Sequence, residues 1–194
     1  MRSSTPRDFS GLCPRCFLKV DLCMCSDLTC TESNTEIILV RHVREAWLTS
    51  NTGRLAALML SNVRVLPYGG GDPFDDTQLC GDNTWLLVPG ASAAVPPGRP
   101  RRLVVLDATF RQARRMSRRI SGLHRLPRWT LAVPPMRTPG RRRPPRPDGL
   151  STIEAIALAL AQCESPEWAA PLMTAYAEWV RRAHLSGGRG PRHE

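Results

Sequence analysis

The sequence predicts an α/β fold in which a mostly parallel sheet is flanked by helices. Short apolar runs of strand length alternate with longer segments of helical periodicity, and this alternation is typical of parallel α/β domains. Several runs are nearly unbroken stretches of apolar residues, which favours strands that are buried on both faces of the sheet. The predicted strands cover residues 36–41, 63–68, 85–88, 103–106 and 129–133.

Four segments between and after these strands are predicted to be helices. The first has capping residue types at Ser50 and Asn51, followed by helix-forming residues up to position 60. The second, residues 110–120, places apolar side chains on one side and arginines largely elsewhere. Two apolar helices follow over residues 150–164 and 168–184, the latter with Pro171 near its first turn.

The chain is predicted to have three parts. Residues 1–34 form an N-terminal tail with a cysteine-rich segment, residues 35–186 form the α/β domain, and residues 187–194 form a polar tail. No run approaches the roughly 18 consecutive apolar residues of a membrane helix, and the polar N-terminus lacks the apolar core of a signal peptide. We therefore expect a cytoplasmic protein that does not contact a membrane.

Charge indicates the class of partner. The net charge is +10 and the pI about 10.2, and almost all of the positive charge is arginine, with Lys19 the only lysine. Arginine grips phosphate with a planar fork of donors and stacks on bases, so the expected partner is nucleic acid. A GC-rich coding sequence would explain arginine in place of lysine, but it would not explain the excess of positive charge.

Five of the seven cysteines lie between residues 13 and 30. Cys13 and Cys16 form a CxxC pair, and Cys23 and Cys25 form a CxC pair after six intervening residues. This spacing allows four thiolates to bind Zn²⁺ tetrahedrally, and such a closed site is structural rather than catalytic. Cys30 remains an alternative to Cys25, and a redox CxxC would need a thioredoxin-like βαβ context that the sequence lacks.

Two polar positions follow the strand at 103–106. Asp107 lies at the carboxyl end of that strand, where ligands of open α/β sheets bind, and Thr109 precedes an arginine-rich helix. A partly desolvated carboxylate at this edge can act as a general base. Equally, Asp107 or Thr109 can serve only to cap the helix.

Two further motifs allow both a structural and a functional interpretation. Ser151 and Glu154 have the S-x-x-E spacing of a capping box, at a helix N-terminus whose free amides can also bind a ligand carboxylate. His42 and Glu45, with the Ser-Asn-Thr-Gly run at 50–53, follow the first strand. They fit a ligand-binding turn, although the motif alone favours a capping loop.

Taken in this order, the motifs resemble those of the DTW-domain family. The shared elements are the CxxC…CxC segment, the H-x-x-E…S-N-T-G stretch, a strand that ends in D-x-T-aromatic, and the late S-T-x-E-A helix. The similarity runs from about Cys13 to Glu164. Phe110 stands where the family has tryptophan, and Pro139 stands near the place of a tyrosine in relatives.

The resemblance implies a tRNA-uridine aminocarboxypropyltransferase related to the SPOUT-like enzymes, with a C-terminal knot. S-adenosylmethionine would donate its 3-amino-3-carboxypropyl group to uridine N3, with Asp107 as the base or as the group that positions the N3–H. Alternatives are a SPOUT-like RNA methyltransferase, an enzyme of the same chemistry acting on ribosomal RNA, and a non-catalytic zinc and arginine RNA-binding module. The sequence indicates no protein partner.

The candidate donor-binding residues are those that match family motifs or end a strand on the same sheet edge: Ser50, Asn51, Thr52, Val88, Pro89, Gly90, Thr109, Leu150, Ser151, Thr152 and Glu154. The candidate tRNA-binding residues are arginines of the 110–120 helix and of the Pro/Arg-rich loop that follows the fifth strand: Arg111, Arg114, Arg115, Arg118, Arg141, Arg142 and Arg143.

Overall fold

A computed structural model describes residues 9–88, 98–131 and 149–187 of the chain. It has five strands: β1 (Glu36–His42), β2 (Val63–Tyr68), β3 (Thr84–Val88), β4 (Arg102–Asp107) and β5 (Arg128–Thr130). It has four α-helices: α1 (Gly53–Met59), α2 (Phe110–Arg119), α3 (Thr152–Cys163) and α4 (Pro166–Leu185).

All five strands are parallel and form one sheet in the order β2-β1-β4-β3-β5. The predicted α/β class is therefore confirmed, and each predicted strand and helix is present within a few residues of its expected bounds. The knot stays a prediction, because the chain between β5 and α3 includes residues 132–148, which lie outside the described residues.

Helices cover both faces of the sheet. Because side chains alternate along each strand, successive residues of a strand contact different helices. On β1, Ile37 and Leu39 face a core that includes α1, α3 and α4. Ile38 and Val40 point the other way and pack with Met116 of α2. The result is a three-layer α/β/α arrangement, and the parity of a strand residue determines which helices it meets.

The expectation that β2 is buried on both faces was wrong. Only Leu66 of this strand is buried, because β2 lies at the edge of the sheet and pairs with β1 alone. Arg64 and Pro67 suit such an edge, where a charged side chain and a missing N–H discourage further pairing.

The last helix begins earlier than expected. Ser165 caps it by accepting a hydrogen bond from the Glu167 N–H (3.3 Å), and Pro166 takes the first helical position, where a missing N–H is tolerated. Pro171 consequently lies inside the helix rather than in its first turn. No helix in the described ranges combines the length and the apolar character needed to cross a lipid bilayer.

A topological switch point lies between β1 and β4. β1 continues to β2 on one side, whereas the later strands lie on the other side of β1. In parallel α/β sheets, ligands bind at the carboxyl ends of the strands beside such a switch point. Arg41 of β1 and Asp107 of β4 are paired in register at this place.

Candidate functional site

Asp107 is the centre of a hydrogen-bonded cluster at the switch point. Its side chain accepts hydrogen bonds from Arg41 Nε (2.6 Å), Asn51 Nδ2 (2.9 Å) and Thr152 Oγ1 (3.0 Å). The residue is only 1% exposed. Arg41 and Asp107 meet because their side chains are on the same face of the sheet. Arg41 lies two residues after Leu39 and Asp107 two residues after Val105, and both Leu39 and Val105 face the core that includes α1, α3 and α4.

The N-termini of two helices converge on this carboxylate. Asn51 caps α1, since its Oδ1 accepts from the Arg54 N–H (2.8 Å) while its amide nitrogen holds Asp107. Thr152, the other donor, is the first residue of α3. The positive ends of both helix dipoles therefore lie beside the negative charge of Asp107 and stabilise it.

A capping box fixes the start of α3. The Ser151 N–H donates to Glu154 Oε2 (2.8 Å), and Ser151 is the N-cap residue. Glu154 is buried, so its carboxylate is committed to this contact. The predicted capping role of this motif is confirmed, and it has a functional consequence, because the cap sets the position from which Thr152 reaches Asp107.

Gly53, the first residue of α1, allows the close approach of helix and carboxylate. A Cβ atom at this position would lie far inside contact distance of the Asp107 carboxyl carbon and of both its oxygens. Only glycine fits. The Gly in the Ser-Asn-Thr-Gly run is thus required by packing against Asp107, rather than by a left-handed turn.

Arg41 was missed by the reasoning from sequence, although a signal for it existed. Parallel pairing of β1 and β4 combined with side-chain parity places an Arg at 41 against an Asp at 107. The strand order that makes these two strands neighbours was not predicted. Arg54 was missed too: its guanidinium lies 3.5 Å from the centroid of the Phe17 ring and donates to the Ala46 carbonyl.

The four cysteines of the N-terminal segment form a second cluster, here called the clasp (Cys13, Cys16, Cys23 and Cys25). The Sγ atoms of Cys13 and Cys25 are 3.7 Å apart and those of Cys16 and Cys23 are 3.8 Å apart, and all four lie within 4.8 Å of one another. Tetrahedral zinc with bonds of about 2.3 Å gives sulfur–sulfur separations of about 3.8 Å. The spacing of the four sulfur atoms in the clasp therefore suits a tetrahedral metal ion such as zinc.

Cys30 is exposed and does not belong to this cluster, so the choice left open between Cys25 and Cys30 is resolved in favour of Cys25. Among the clasp thiols, burial opposes ionisation of Cys13, but the backbone N–H groups of Cys16 and Arg15 outweigh it and lower the pKa of Cys13 to about 6. Burial and the neighbouring thiols raise the pKa of Cys25. A bound cation would stabilise the thiolates that burial disfavours.

The clasp contacts two helices. From α4, Trp179 Nε1 donates to the Cys16 carbonyl (3.1 Å) and Arg182 Nη1 donates to the Cys23 carbonyl (2.9 Å). The contact with α1 is made by Phe17, which directly follows Cys16 in a left-handed conformation (φ +58°) and presents its ring to Arg54. The clasp thus connects α4 to the first turn of α1, beside Asp107.

The model of the DTW-domain family matches residues 10–184, a range that includes both the clasp and the Asp107 cluster. The chain belongs to the DTW-domain family. No solved structure matches the chain. Membership is consistent with a role in tRNA modification and suggests a transferase that acts on RNA.

The other candidate donor-binding residues that the structure describes lie around the same edge of this DTW domain. Thr109 caps α2, since its Oγ1 accepts from the Gln112 N–H (3.3 Å) and its own N–H donates to Gln112 Oε1 (2.8 Å). Val88 ends β3, and Ser50, Thr52 and Leu150 adjoin the residues that contact Asp107. Five predicted site residues lie outside the described residues: Pro89, Gly90, Arg141, Arg142 and Arg143.

The second helix of the DTW domain carries a row of exposed cations. All five of its arginines are exposed: Arg111, Arg114, Arg115, Arg118 and Arg119. This helix begins three residues after β4 ends, so its N-terminus lies at the carboxyl edge of the sheet. Burial lowers the pKa of His42 at the end of β1, and the charges of Arg44 and Arg115 lower it further. Positive charge is therefore exposed beside the Asp107 cluster.

Proposed function

We propose that this DTW-domain protein is a tRNA-uridine aminocarboxypropyltransferase that uses S-adenosylmethionine as the donor. The observation that carries the proposal is the Asp107 cluster, in which the N-termini of α1 and α3 meet at the carboxyl edge of the sheet, within a chain of this family. Ligands of parallel α/β sheets bind at the carboxyl ends of the strands beside a switch point, and the two helix starts meet at this place.

The reaction consists of one displacement. Uridine N3 loses its proton to solvent and attacks the carbon of the aminocarboxypropyl chain that is bonded to the sulfonium sulfur. A nitrogen–carbon bond forms, the carbon–sulfur bond breaks, and the electron pair leaves with sulfur as methylthioadenosine. Because the sulfonium is already activated, the protein contributes mainly by holding N3 and that carbon in line at near-attack distance.

Within this proposal, Asp107 is a positioning residue rather than the base. It is buried and already accepts hydrogen bonds from Arg41, Asn51 and Thr152. Both of its oxygens are engaged, Oδ2 by Arg41 and Oδ1 by Asn51 and Thr152. Its role is to fix the starts of α1 and α3 relative to each other, and Ser50, Asn51, Thr52, Leu150, Ser151, Thr152 and Glu154 then shape the donor pocket.

Zinc in the clasp would have a structural role. Four thiolates leave no open coordination position, so the ion would stabilise the segment that supports Phe17 and Arg54 and would take no part in the transfer. The exposed arginines of α2 would bind tRNA phosphates, as would those of the loop at residues 141–143.

The direct test is to incubate the protein with S-adenosylmethionine and an unmodified tRNA transcript, then to weigh the nucleosides and identify the small-molecule product. We expect an aminocarboxypropyl adduct on uridine, together with methylthioadenosine. A methyl adduct with S-adenosylhomocysteine would instead identify a methyltransferase. Transfer only to ribosomal RNA would change the proposed substrate but not the proposed reaction.

A non-catalytic RNA-binding module is the rival function, favoured by the row of exposed arginines on α2. Such a module would bind tRNA but not S-adenosylmethionine. Calorimetry with the donor alone therefore separates the two: heat of binding supports the enzyme, and its absence alongside tight tRNA binding supports the module.

A further inference from the structure

We propose that Trp47 is a stacking platform for an unpaired nucleobase of the RNA. The inference rests on the proposed function only in taking RNA as the ligand. Trp47 is 59% exposed, whereas Trp129 and Trp179 are buried and Trp85 and Trp168 are half-buried. Among the large hydrophobic side chains exposed in the described residues, it is the single aromatic one.

The ring of Trp47 contacts a second aromatic ring. Its centroid lies 5.8 Å from that of Phe9, with an interplanar angle of 41°, and Phe9 lies 5.3 Å from Phe17. Phe17 is itself fixed by the adjacent clasp and by the guanidinium of Arg54. An aromatic side chain that is already held in place loses little conformational entropy when a ligand stacks on it.

The position of Trp47 connects it to the candidate active site. It lies in the turn between β1 and α1, after His42 and before Asn51, on the loop at the carboxyl edge of the sheet. The row Arg54, Phe17, Phe9, Trp47 leads from the first turn of α1, which packs on Asp107, to the exposed surface. A base stacked on Trp47 would therefore lie on the loop that leads from β1 to Asn51, a residue that contacts Asp107.

The charge around this position favours a nucleobase over other apolar ligands. Arg44 in the same turn is exposed, as are the arginines of α2 near the edge, and the whole chain has a net charge of +10. Proteins that recognise unpaired RNA combine cations for the backbone with aromatic rings on which bases stack. Trp47 supplies the ring where the cations are already present.

The test compares Trp47→Ala and Trp47→Phe with wild type, using an unmodified tRNA transcript without S-adenosylmethionine. Loss of one stacked base should weaken RNA binding about tenfold in Trp47→Ala, and Trp47→Phe should retain most of the affinity because a phenyl ring still stacks. RNA should quench tryptophan fluorescence in wild type, and this quenching should be lost in Trp47→Phe. Leu185→Ala, which removes a side chain 62% exposed at the end of α4, should change none of these values.

Donor calorimetry and thermal melting of each variant show that the fold is intact, and both should match wild type. The proposal is overturned if Trp47→Ala binds the transcript as tightly as wild type, or if the quenching persists in Trp47→Phe. Those outcomes leave the proposed transferase standing. If wild type does not bind RNA at all, both the platform and the tRNA substrate are refuted together.

Discussion

Asp107 is a charged side chain in a place from which water is excluded, and its neighbours show how the fold stabilises it. Burial of an isolated carboxylate costs several kcal/mol, which geometry and hydrogen bonding must offset. Here Arg41 supplies the opposite charge, Asn51 and Thr152 supply neutral donors, and two helix N-termini supply partial positive charge. Each donor comes from a different part of the chain, so the carboxylate joins β1, β4, the start of α3 and the residues that precede α1.

This arrangement predicts the result of Asp107→Asn. The amide keeps the size of the side chain but replaces one acceptor oxygen with a donor, which faces donors already present, and it leaves the half-buried Arg41 without its counter-ion. We expect the free energy of unfolding to fall by about 3 kcal/mol, as when one partner of a buried ion pair is removed. Urea denaturation measures this, and donor binding should weaken in parallel.

Asp75→Asn is the matched control, because Asp75 is an exposed N-cap whose Oδ1 accepts from the Thr77 N–H (3.0 Å). It should have a much smaller effect on stability and none on donor binding. Loss of transfer in Asp107→Asn with the stability and the donor affinity of wild type would instead indicate a catalytic base. That result would contradict the positioning role.

Gly53→Ala tests the close packing at the same point. Replacing glycine by alanine within a helix ordinarily stabilises it by up to about 1 kcal/mol. At position 53, however, the new methyl group would overlap the Asp107 carboxylate, so we expect a loss of at least about 2 kcal/mol, as overpacking gives. Thermal melting measures the change.

Gly70→Ala is the control for this substitution, since a Cβ at position 70 would meet only Val43 Cγ1 at an ordinary 3.5 Å. It should leave the melting temperature nearly unchanged. A Gly53→Ala protein as stable as wild type, with full donor affinity, would mean that α1 does not lie against Asp107 as described.

At the scale of elements, the clasp depends on α4 for its position. Arg182 of α4 donates to the Cys23 carbonyl (2.9 Å) and to Asp27 (2.8 Å), whereas its neighbour Arg181 contacts Glu178 on the same helix. The two arginines therefore offer a matched pair: removal of either one deletes a cation from α4, but only one of them touches the clasp.

We expect the purified protein to carry one zinc ion per chain and Arg182→Ala to release it faster. Loss of the hydrogen bond to the Cys23 carbonyl frees one side of the loop that carries Cys23 and Cys25, and about 1 kcal/mol corresponds to a rate about fivefold higher. A chromogenic zinc chelator measures the rate. Arg181→Ala should behave as wild type, and equal rates in the two variants would show that α4 does not hold the clasp.

The elements themselves were largely predictable from sequence, and the contacts between them were not. Apolar runs and capping residues gave the strands and helices, and cysteine spacing gave the clasp, because these are local signals. The burial of β2 was misjudged since an edge position depends on strand order. The pairing of Arg41 with Asp107 depends on the same order, and the contact of Phe17 with Arg54 depends on how the clasp packs. None of these is encoded in one segment alone.

At the scale of the whole molecule, the positive charge is unevenly distributed over the surface. Some arginines are ion-paired, as Arg64 is with Glu36 and Arg181 is with Glu178. The arginines of α2 are exposed on a helix near the carboxyl edge, where the proposed transfer would occur. Net charge alone would attract RNA to any face, whereas this distribution favours binding at one edge.

A pair of double variants separates the two effects. Arg111 and Arg115 are four residues apart and share a face of α2, so Arg111→Gln/Arg115→Gln removes two cations from the proposed RNA surface. Arg64→Gln/Arg181→Gln removes two cations elsewhere. Both lower the net charge equally, so any effect of overall charge on tRNA binding should be the same in the two proteins.

Local phosphate contacts should affect only the first variant. Each lost contact reduces the slope of log affinity against log salt by about 0.7 to 0.9, so the α2 variant should lose about 1.5 in slope and bind roughly 30-fold more weakly near 0.1 M salt. Titrations of labelled tRNA at several salt concentrations give both values. If the two double variants lose affinity and slope equally, the charge acts as a general field and α2 is not the RNA-binding surface.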